Sequence, residues 1–228
     1  MRPKIDLFTP KTIKNSTKND DFAVFYAQNS DGIEVFLYGV VGDEYTQTDA
    51  GSIARVLSAN KNAPVTMRVN SFGGLAFDGM AIYNALADHA GPTVGIIESV
   101  AASAASLAVL GADKVQMQAN AIYHIHEGIA GAVGHIADLQ EVVDWLKAFN
   151  AAAVATYAAK TGKSEEMLAA ALLGDNGDGT KYTAQQALEM GFVDEVLPIG
   201  KRVSKTAARA DRSGELAARA RLLRAKSS

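Results

Sequence analysis

Four short stretches of the chain hold residue types suited to acyl chemistry. The first is Glu98-Ser99-Val100-Ala101-Ala102-Ser103-Ala104-Ala105-Ser106, three hydroxyls among small apolar residues. A serine at a helix start lies where free backbone N–H groups and the positive end of the helix dipole favour developing negative charge, as a nucleophile and its oxyanion require. The neighbouring alanines let a substrate backbone lie close over the hydroxyl. The same residues also suit a helix N-cap, which Ser99 or Ser106 fills equally well, or tight helix packing. The chain has no cysteine, so a thiol nucleophile, a disulfide framework and a thiolate zinc site are excluded together. Nucleophilic chemistry falls to Ser, Thr, Lys or a carboxylate.

The second stretch is Ile122-Tyr123-His124-Ile125-His126-Glu127. On a strand both histidines point to one face, where either can serve as a base. The pair also offers two metal ligands, with no third nearby, and a hydrogen-bonded core or rim histidine needs no chemistry at all. The third stretch, Gly174-Asp175-Asn176-Gly177-Asp178-Gly179, is a turn by composition. Its oxygens miss the alternating EF-hand positions and no glutamate closes it, which leaves an orienting carboxylate as its functional reading. The fourth, Asn70-Ser71-Phe72-Gly73-Gly74, lies between a strand and a helix. Paired glycines let backbone N–H groups approach a ligand closely, and a tight turn explains them equally well. No GxxxxGK[ST] pattern is present, so a triphosphate-binding loop is excluded.

The elements that must position these stretches follow from periodicity. Ile33 to Val41 alternates and then runs apolar, Val65 to Val69 alternates, and Thr48 to Ala59 between them has helical spacing, a strand, helix, strand unit. A helix over Asp78 to His89 leads through Gly91-Pro92 to a short strand at Thr93 to Ile97, then a small-residue apolar stretch from Ala101 to Ala112. Strands follow at Val115 to Gln118 and Ile122 to His126. Such alternation predicts an α/β fold with a largely parallel sheet. From Ile136 a long helix places Ile136, Leu139, Val142, Val143, Leu146, Phe149, Val154 and Tyr157 on one face, with Gly162 as its stop. Thr183 to Met190 reads as a last short helix and Phe192 to Leu197 as a closing strand.

With 228 residues, 48% of them hydrophobic and 21% charged, the chain can bury the core of one ordinary domain. No run approaches the roughly 18 apolar residues of a membrane span, and the first twenty residues have no apolar segment able to act as a secretion signal, so the expectation is a soluble, cytoplasmic protein. The domain is expected over 22–198, after a flexible lead-in at 1–21 and before a mobile tail at 199–228. Charge is uneven. Residues 201–228 carry nine Lys/Arg against two Asp/Glu, a net of +7, while the rest of the chain nets −10. An arm of that kind suits an acidic partner or nucleic acid, or is simply a solvated terminus.

In this order the four stretches resemble the ClpP-like serine peptidase family, and within it the phage branch of head-maturation (prohead) proteases. The likeness runs from about Ile33 to Leu197. Asn70-Ser71-Phe72-Gly73-Gly74, followed by Gly79-Met80-Ala81-Ile82-Tyr83, is similar to the family's NSPGG…GMAIY segment, with Phe72 in place of proline. Ala101-Ala102-Ser103 is similar to its nucleophile motif, in the phage form AASAAS rather than the housekeeping AASMG. Asn120 to His126 is similar to the stretch that ends in the catalytic histidine, and Thr183-Ala184 with Ala187 to Asp194 to the closing SAxEAxxxGLVD.

The resemblance implies an α/β spiral of ββα units, shared with the crotonases, with a long projecting handle helix, here Ile136 to Ala159. It makes Ser103 the nucleophile, His126 the general base and Asp178 the orienting acid, with Asp175 as the competing carboxylate. The backbone N–H groups of Gly73 and Ala104 would form the oxyanion hole, with neither metal nor cofactor. The implied protein is a serine endopeptidase that cleaves proteins or peptides inside a homo-oligomeric ring, in phage capsid or scaffold maturation, in host cytoplasm or procapsid. Its basic tail would meet a capsid or scaffold protein. An ATPase unfoldase, if used, would be a separate subunit, because the chain holds no ATPase segment. The arginine that the family places beside the acid has no counterpart here. The alternatives are a crotonase-fold acyl-CoA enzyme and a non-catalytic scaffold of the same fold; neither requires Ser, His and Asp together.

Overall fold

The computed structural model describes residues 26–29, 32–175 and 177–199. The expected lead-in at 1–21 and the basic tail from 200 onward lie outside the described residues. The elements below all fall in the unit that ends at Leu197; of the second unit, Pro198–Ser228, only 198–199 are described.

Two strands open the fold, β1 (Tyr26–Asn29) and β2 (Gly32–Val41), and helix α1 (Ala50–Ala59) leads to β3 (Val65–Gly74). Helix α2 (Ala76–Ala87), strand β4 (Thr93–Ala102), the short α3 (Ala104–Ala108) with a 3-10 turn at Val109–Gly111, and β5 (Lys114–Gln118) follow. Then come β6 (Ile122–Ile125), α4 (Ile136–Thr161), α5 (Glu165–Leu173), β7 (Thr180–Thr183), α6 (Ala184–Met190) and β8 (Glu195–Leu197). The sheet order is β1-β2-β3-β4-β5-β8, and β6 pairs with both β4 and β7. Pairing is parallel except for β1 with β2 and β6 with β7. This is the α/β architecture expected, with two short antiparallel additions that periodicity does not reveal, because neither β1 nor β7 carries an apolar alternation.

The expected periodicities form the core. Ile33, Val35 and Leu37 of β2 and Val65, Met67 and Val69 of β3 are buried on one sheet face against Ile53, Val56 and Leu57 of α1 and Ile82 and Leu86 of α2. Asp49 caps α1, its carboxylate accepting from Ser52 N–H at 2.9 Å. The opposite face carries half-buried charge: Arg68 bridges Glu34 and Glu98, each at 2.8 Å.

The closing strand is Glu195–Leu197 rather than Phe192 to Leu197, and α2 runs Ala76–Ala87 rather than Asp78 to His89; two further boundaries that differ from expectation place the site. Asn70 to Gly74 is the end of β3 rather than a loop after it, and Glu98 to Ala102 is the second half of β4 rather than a connection. The reason is pairing at a distance. Val94 to Ile97 of β4 pair with β5, whereas Val100, Ala101 and Ala102 pair with Ile122, Tyr123 and His124 of β6. Strand β4 thus changes neighbour midway, and register irregularities in β2–β3 and β3–β4 fall at the same level. Beyond Ala102 only five residues are α-helical before the 3-10 turn.

Helix α4 divides in two. Phe149, Ala153, Val154 and Tyr157 on the later turns are buried, while on the earlier turns Ile136, Leu139, Val143 and Trp145 are exposed and Val142 is buried. Gly162 ends the helix at φ 67°, as a left-handed C-cap requires.

Candidate active site

Ser103 stands between the end of β4 and the start of α3 with φ 53° and ψ −129°. Only one other described non-glycine residue, Gln47, has a positive φ. Such a conformation costs about 1–3 kcal/mol and persists only where its surroundings over-determine it. Here they do: Ser103 N–H donates to His124 O at 3.0 Å, and Ser103 O accepts from Ser106 N–H at 2.9 Å. The sharp turn lifts the serine out of the sheet, so Ser103 is the one residue between 101 and 112 that is not buried. A strained strand-to-helix turn that exposes one hydroxyl is the geometry of an activated nucleophile.

Gly73 explains how β3 approaches this turn. Its φ is +98°, and a Cβ there would stand 2.5 Å from the Cβ of Ser103 and 3.1 Å from Ala104 N. Only glycine brings the two strand ends together, and both proposed oxyanion donors therefore flank Ser103. The donors differ in state. Among the described residues Ala104 N–H has no acceptor, as expected of a first-turn amide. Gly73 N–H donates to Ser71 Oγ at 3.0 Å, and Ser71 in turn donates to Gly39 O at 2.6 Å. Gly79 plays a packing role: a side chain there would run into the carbonyl of Ala104, so α2 and α3 meet backbone to backbone.

His124 and His126 share a face, as period two requires, with ring centroids 5.3 Å apart. His126 lies just past the end of β6 and is half-buried. Its Nδ1 is 2.6 Å from Glu127 O. A carbonyl only accepts, so Nδ1 carries the proton and Nε2 keeps the lone pair that a general base uses. His124 Nε2 donates to Asp178 O at 2.8 Å. Burial lowers the pKa of His124, nearby Lys181 and His126 lower it further, and the bond to Asp178 O opposes them. Among the described residues no cluster of three or more His, Asp or Glu could hold a metal ion.

The acid loop reaches the site through its backbone. Gly179, at φ +76°, packs so closely that a Cβ would meet Ile125 O and stand 2.5 Å from the Cβ of His126. Asp178 is therefore brought beside the histidines, but its carboxylate pairs with Lys181 at 3.3 Å and is largely exposed. Asp175 is exposed in the same loop. Among the described residues no hydrogen bond joins Ser103 Oγ, the His126 ring and either carboxylate. The sheet brings Gly73 and Ala104 against Ser103, and places His126 two residues beyond the His124 whose carbonyl accepts the Ser103 N–H; Asp178 reaches the histidines by its main chain only.

Three contributors carry no recognisable signal in the sequence. Ser71 lies inside the glycine motif, where nothing in the pattern shows that its hydroxyl holds the Gly73 turn. Ser106 and Tyr157 form a buried bond at 2.8 Å behind Ser103. Tyr157 belongs to an apolar stripe whose spacing says nothing of a hydroxyl's partner.

With this geometry in place the likeness to known proteins is specific. A sequence model of the Clp protease family matches residues 17–199. Among solved structures, an Asn-to-Asp mutant of ClpP1 from Listeria monocytogenes is similar in fold, with a TM-score of 0.59 at 20% identity over 72% of this chain and 91% of that one. The family match takes in every element that carries the site, and the chain belongs to the Clp protease family of serine-type peptidases.

Proposed function

We propose that the protein is a serine endopeptidase with Ser103 as nucleophile, His126 as general base and Asp178 as the acid that orients it. The observation that carries this reading is the turn at Ser103: a strained, half-exposed hydroxyl in an otherwise buried run, beside an Ala104 N–H with no acceptor among the described residues. In the reaction Ser103 Oγ gives its proton to His126 Nε2 and bonds to the peptide carbonyl carbon. The carbonyl oxygen gains negative charge against Ala104 N–H and Gly73 N–H, the latter shared with Ser71 Oγ. Collapse breaks the C–N bond as His126 returns the proton to the leaving amine. Water, deprotonated by the same histidine, then hydrolyses the acyl ester and restores Ser103.

Assembly from copies of the chain is part of the proposal. Ile136 is 87% exposed and Trp145 55%, on the first half of α4, where Trp145 meets Phe77 edge-on and still keeps more than half its surface open. Exposed apolar surface of this kind marks an interface, and a second copy presenting the same helix covers it symmetrically. A capsid or scaffold maturation role, in host cytoplasm or procapsid, is supported by the AASAAS form of the nucleophile run and by the +7 charge of residues 201–228.

Labelling with a serine-directed fluorophosphonate, followed by mass spectrometry of the modified peptide and light scattering of the same preparation, tests both parts. The expected result is a single label on Ser103 in an oligomer, and a Ser103→Ala variant that loses about 10⁶-fold in kcat on a fluorogenic peptide. Turnover by Ser103→Ala at the wild-type rate overturns the nucleophile, and a monomeric mass overturns the assembly.

A further inference from the structure

Behind the nucleophile lies a buried polar chain that the proposed mechanism does not use. Ser106 has no exposed surface. Its Oγ is 2.6 Å from Ser103 O and 2.8 Å from the hydroxyl of Tyr157. Because a carbonyl only accepts, the Ser106 hydroxyl donates to Ser103 O and the Tyr157 hydroxyl donates to Ser106 Oγ. Ser103 O therefore takes two donors from one residue, Ser106 N–H and Ser106 Oγ–H. Tyr157 arrives from α4, 51 residues along the chain, with its ring edge-on to Phe192 at 5.7 Å. Burial raises its pKa and holds the phenol protonated as a donor. A second buried phenol, Tyr123, donates to Ser106 O at 2.7 Å, one carbonyl removed from the chain.

The peptide joining Ser103 to Ala104 is planar, so its C=O and N–H point in opposite directions as one rigid unit. Whatever holds Ser103 O also aims Ala104 N–H, the oxyanion donor that has no acceptor among the described residues. Ser103 departs from ordinary backbone conformations, and the simplest relaxation is a rotation of this peptide. The Ser106 backbone bond resists that rotation from a helix of only five residues; the hydroxyl supplies a second anchor on the same oxygen.

Resting on the peptidase reading above, we propose that Ser106, steadied by Tyr157, is a positioning residue that aims the Ala104 N–H at the oxyanion. Neither side chain touches substrate. A serine bonded back to the carbonyl three residues earlier is otherwise a local helix contact with little influence on rate, so the two roles separate in kinetics.

The experiment compares Ser106→Ala, Tyr157→Phe and Tyr123→Phe with Ser103→Ala and wild type, measuring kcat, KM, pH profile, fluorophosphonate labelling rate and melting temperature. Loss of a whole oxyanion donor costs about 10²–10³ in kcat; a mis-aimed one in Ser106→Ala is expected to cost about 10- to 100-fold, with KM and pH profile unchanged and labelling slowed alike. Tyr157→Phe keeps the ring and leaves Ser106 its bond to Ser103 O, and is expected to lose less, about 3- to 10-fold. Tyr123→Phe removes an equally buried hydroxyl from a carbonyl outside the Ser103–Ala104 peptide, so kcat stays at the wild-type value while melting temperature falls. Recovery of kcat by Ser106→Thr, which restores the hydroxyl, would support the role. Wild-type kcat in both Ser106→Ala and Tyr157→Phe, with Ser103→Ala inactive, overturns the positioning role and leaves the peptidase reading standing. So does a loss of kcat that merely follows melting temperature across all three variants. An active Ser103→Ala overturns the peptidase reading itself.

Discussion

The two sides of the site are built by opposite means. On the nucleophile side, Ser103 is held by bonds from two elements and the packing of a third: β6 accepts its N–H, α3 donates to its carbonyl, and β3 approaches through a glycine with no side chain to spare. On the acid side, the loop carrying Asp178 is set against His126 by Gly179, by a bond from His124 and by the β6–β7 pairing that starts at Thr180, while its carboxylate faces Lys181. The first fixes the reacting groups themselves in a buried frame; the second fixes the loop's backbone and leaves the carboxylate exposed. The difference follows from what each group must do. An oxyanion donor works only if it need not reorganise as charge develops, whereas an acid that orients an imidazole has only to reach it. The ion pair that holds the Asp178 carboxylate to Lys181 is exposed and worth about 0–1 kcal/mol; the His126 Nδ1–H is engaged by Glu127 O at 2.6 Å, so pairing with Asp178 also requires that bond to open.

The largest test of this contrast is the carboxylate itself. Asp178→Asn is expected to lower kcat by up to about 10⁴-fold, as removal of an orienting acid does in established triads, and Asp175→Asn to lower it far less. Steady-state kinetics on a fluorogenic peptide decides, and equal rates for wild type and Asp178→Asn would remove the acid side from the mechanism. The backbone contacts come next. Gly73→Ala places a Cβ at positive φ 2.5 Å from the Ser103 Cβ, and Gly179→Ala places one closer still against the backbone carbonyl of Ile125. Gly73→Ala is expected to cost about 10²–10³ in kcat by displacing an oxyanion donor. Gly179→Ala, away from the oxyanion donors, should cost less in rate, and its stability loss by thermal or urea melting should be at least that of the strained φ alone, about 1–3 kcal/mol, because the Cβ also meets a backbone carbonyl. A Gly179→Ala loss exceeding that of Gly73→Ala would reverse the comparison.

The smallest effect concerns His124. Its pKa is lowered in the folded state, chiefly by burial, with Lys181 and His126 adding to the shift and Asp178 O opposing it. The unfolded chain therefore binds the proton more readily, and stability rises with pH through the window between the folded value and the ordinary value near 6.5. Acidification from pH 7 through that window should lower the melting temperature. His124→Gln, whose amide can still donate to Asp178 O, should flatten the slope by about a degree or two. An unchanged slope in that variant would mean that other groups carry it.

Much of the scaffold is legible in the sequence. Alternation at Ile33, Val35 and Leu37 and at Val65, Met67 and Val69 places two central strands, because a sheet with one face on helices must bury every second residue. Gly162 and Gly191 mark helix ends, and both adopt the positive φ of a C-cap. The boundary at Glu98 to Ala102 is not legible, since those residues are strand because β6, some twenty residues later, and the end of β3 pair with them. The long helix is readable in length, but not in which of its turns are covered.

From its sequence alone the protein has a parallel α/β scaffold, a serine in a small-residue run, two histidines on one strand face, a glycine-rich acidic loop, and membership of a peptidase family suggested by their order. Each is a matter of residue type and local period, which act within a few residues. Only tertiary structure decided that Ser103 takes φ 53°, that Ser106 hydrogen-bonds with a tyrosine 51 residues distant, that Gly73 N–H is engaged while Ala104 N–H has no acceptor among the described residues, and that Asp178 faces Lys181. These are outcomes of contacts between elements far apart in the chain, where strain is offset by bonds that no local pattern encodes.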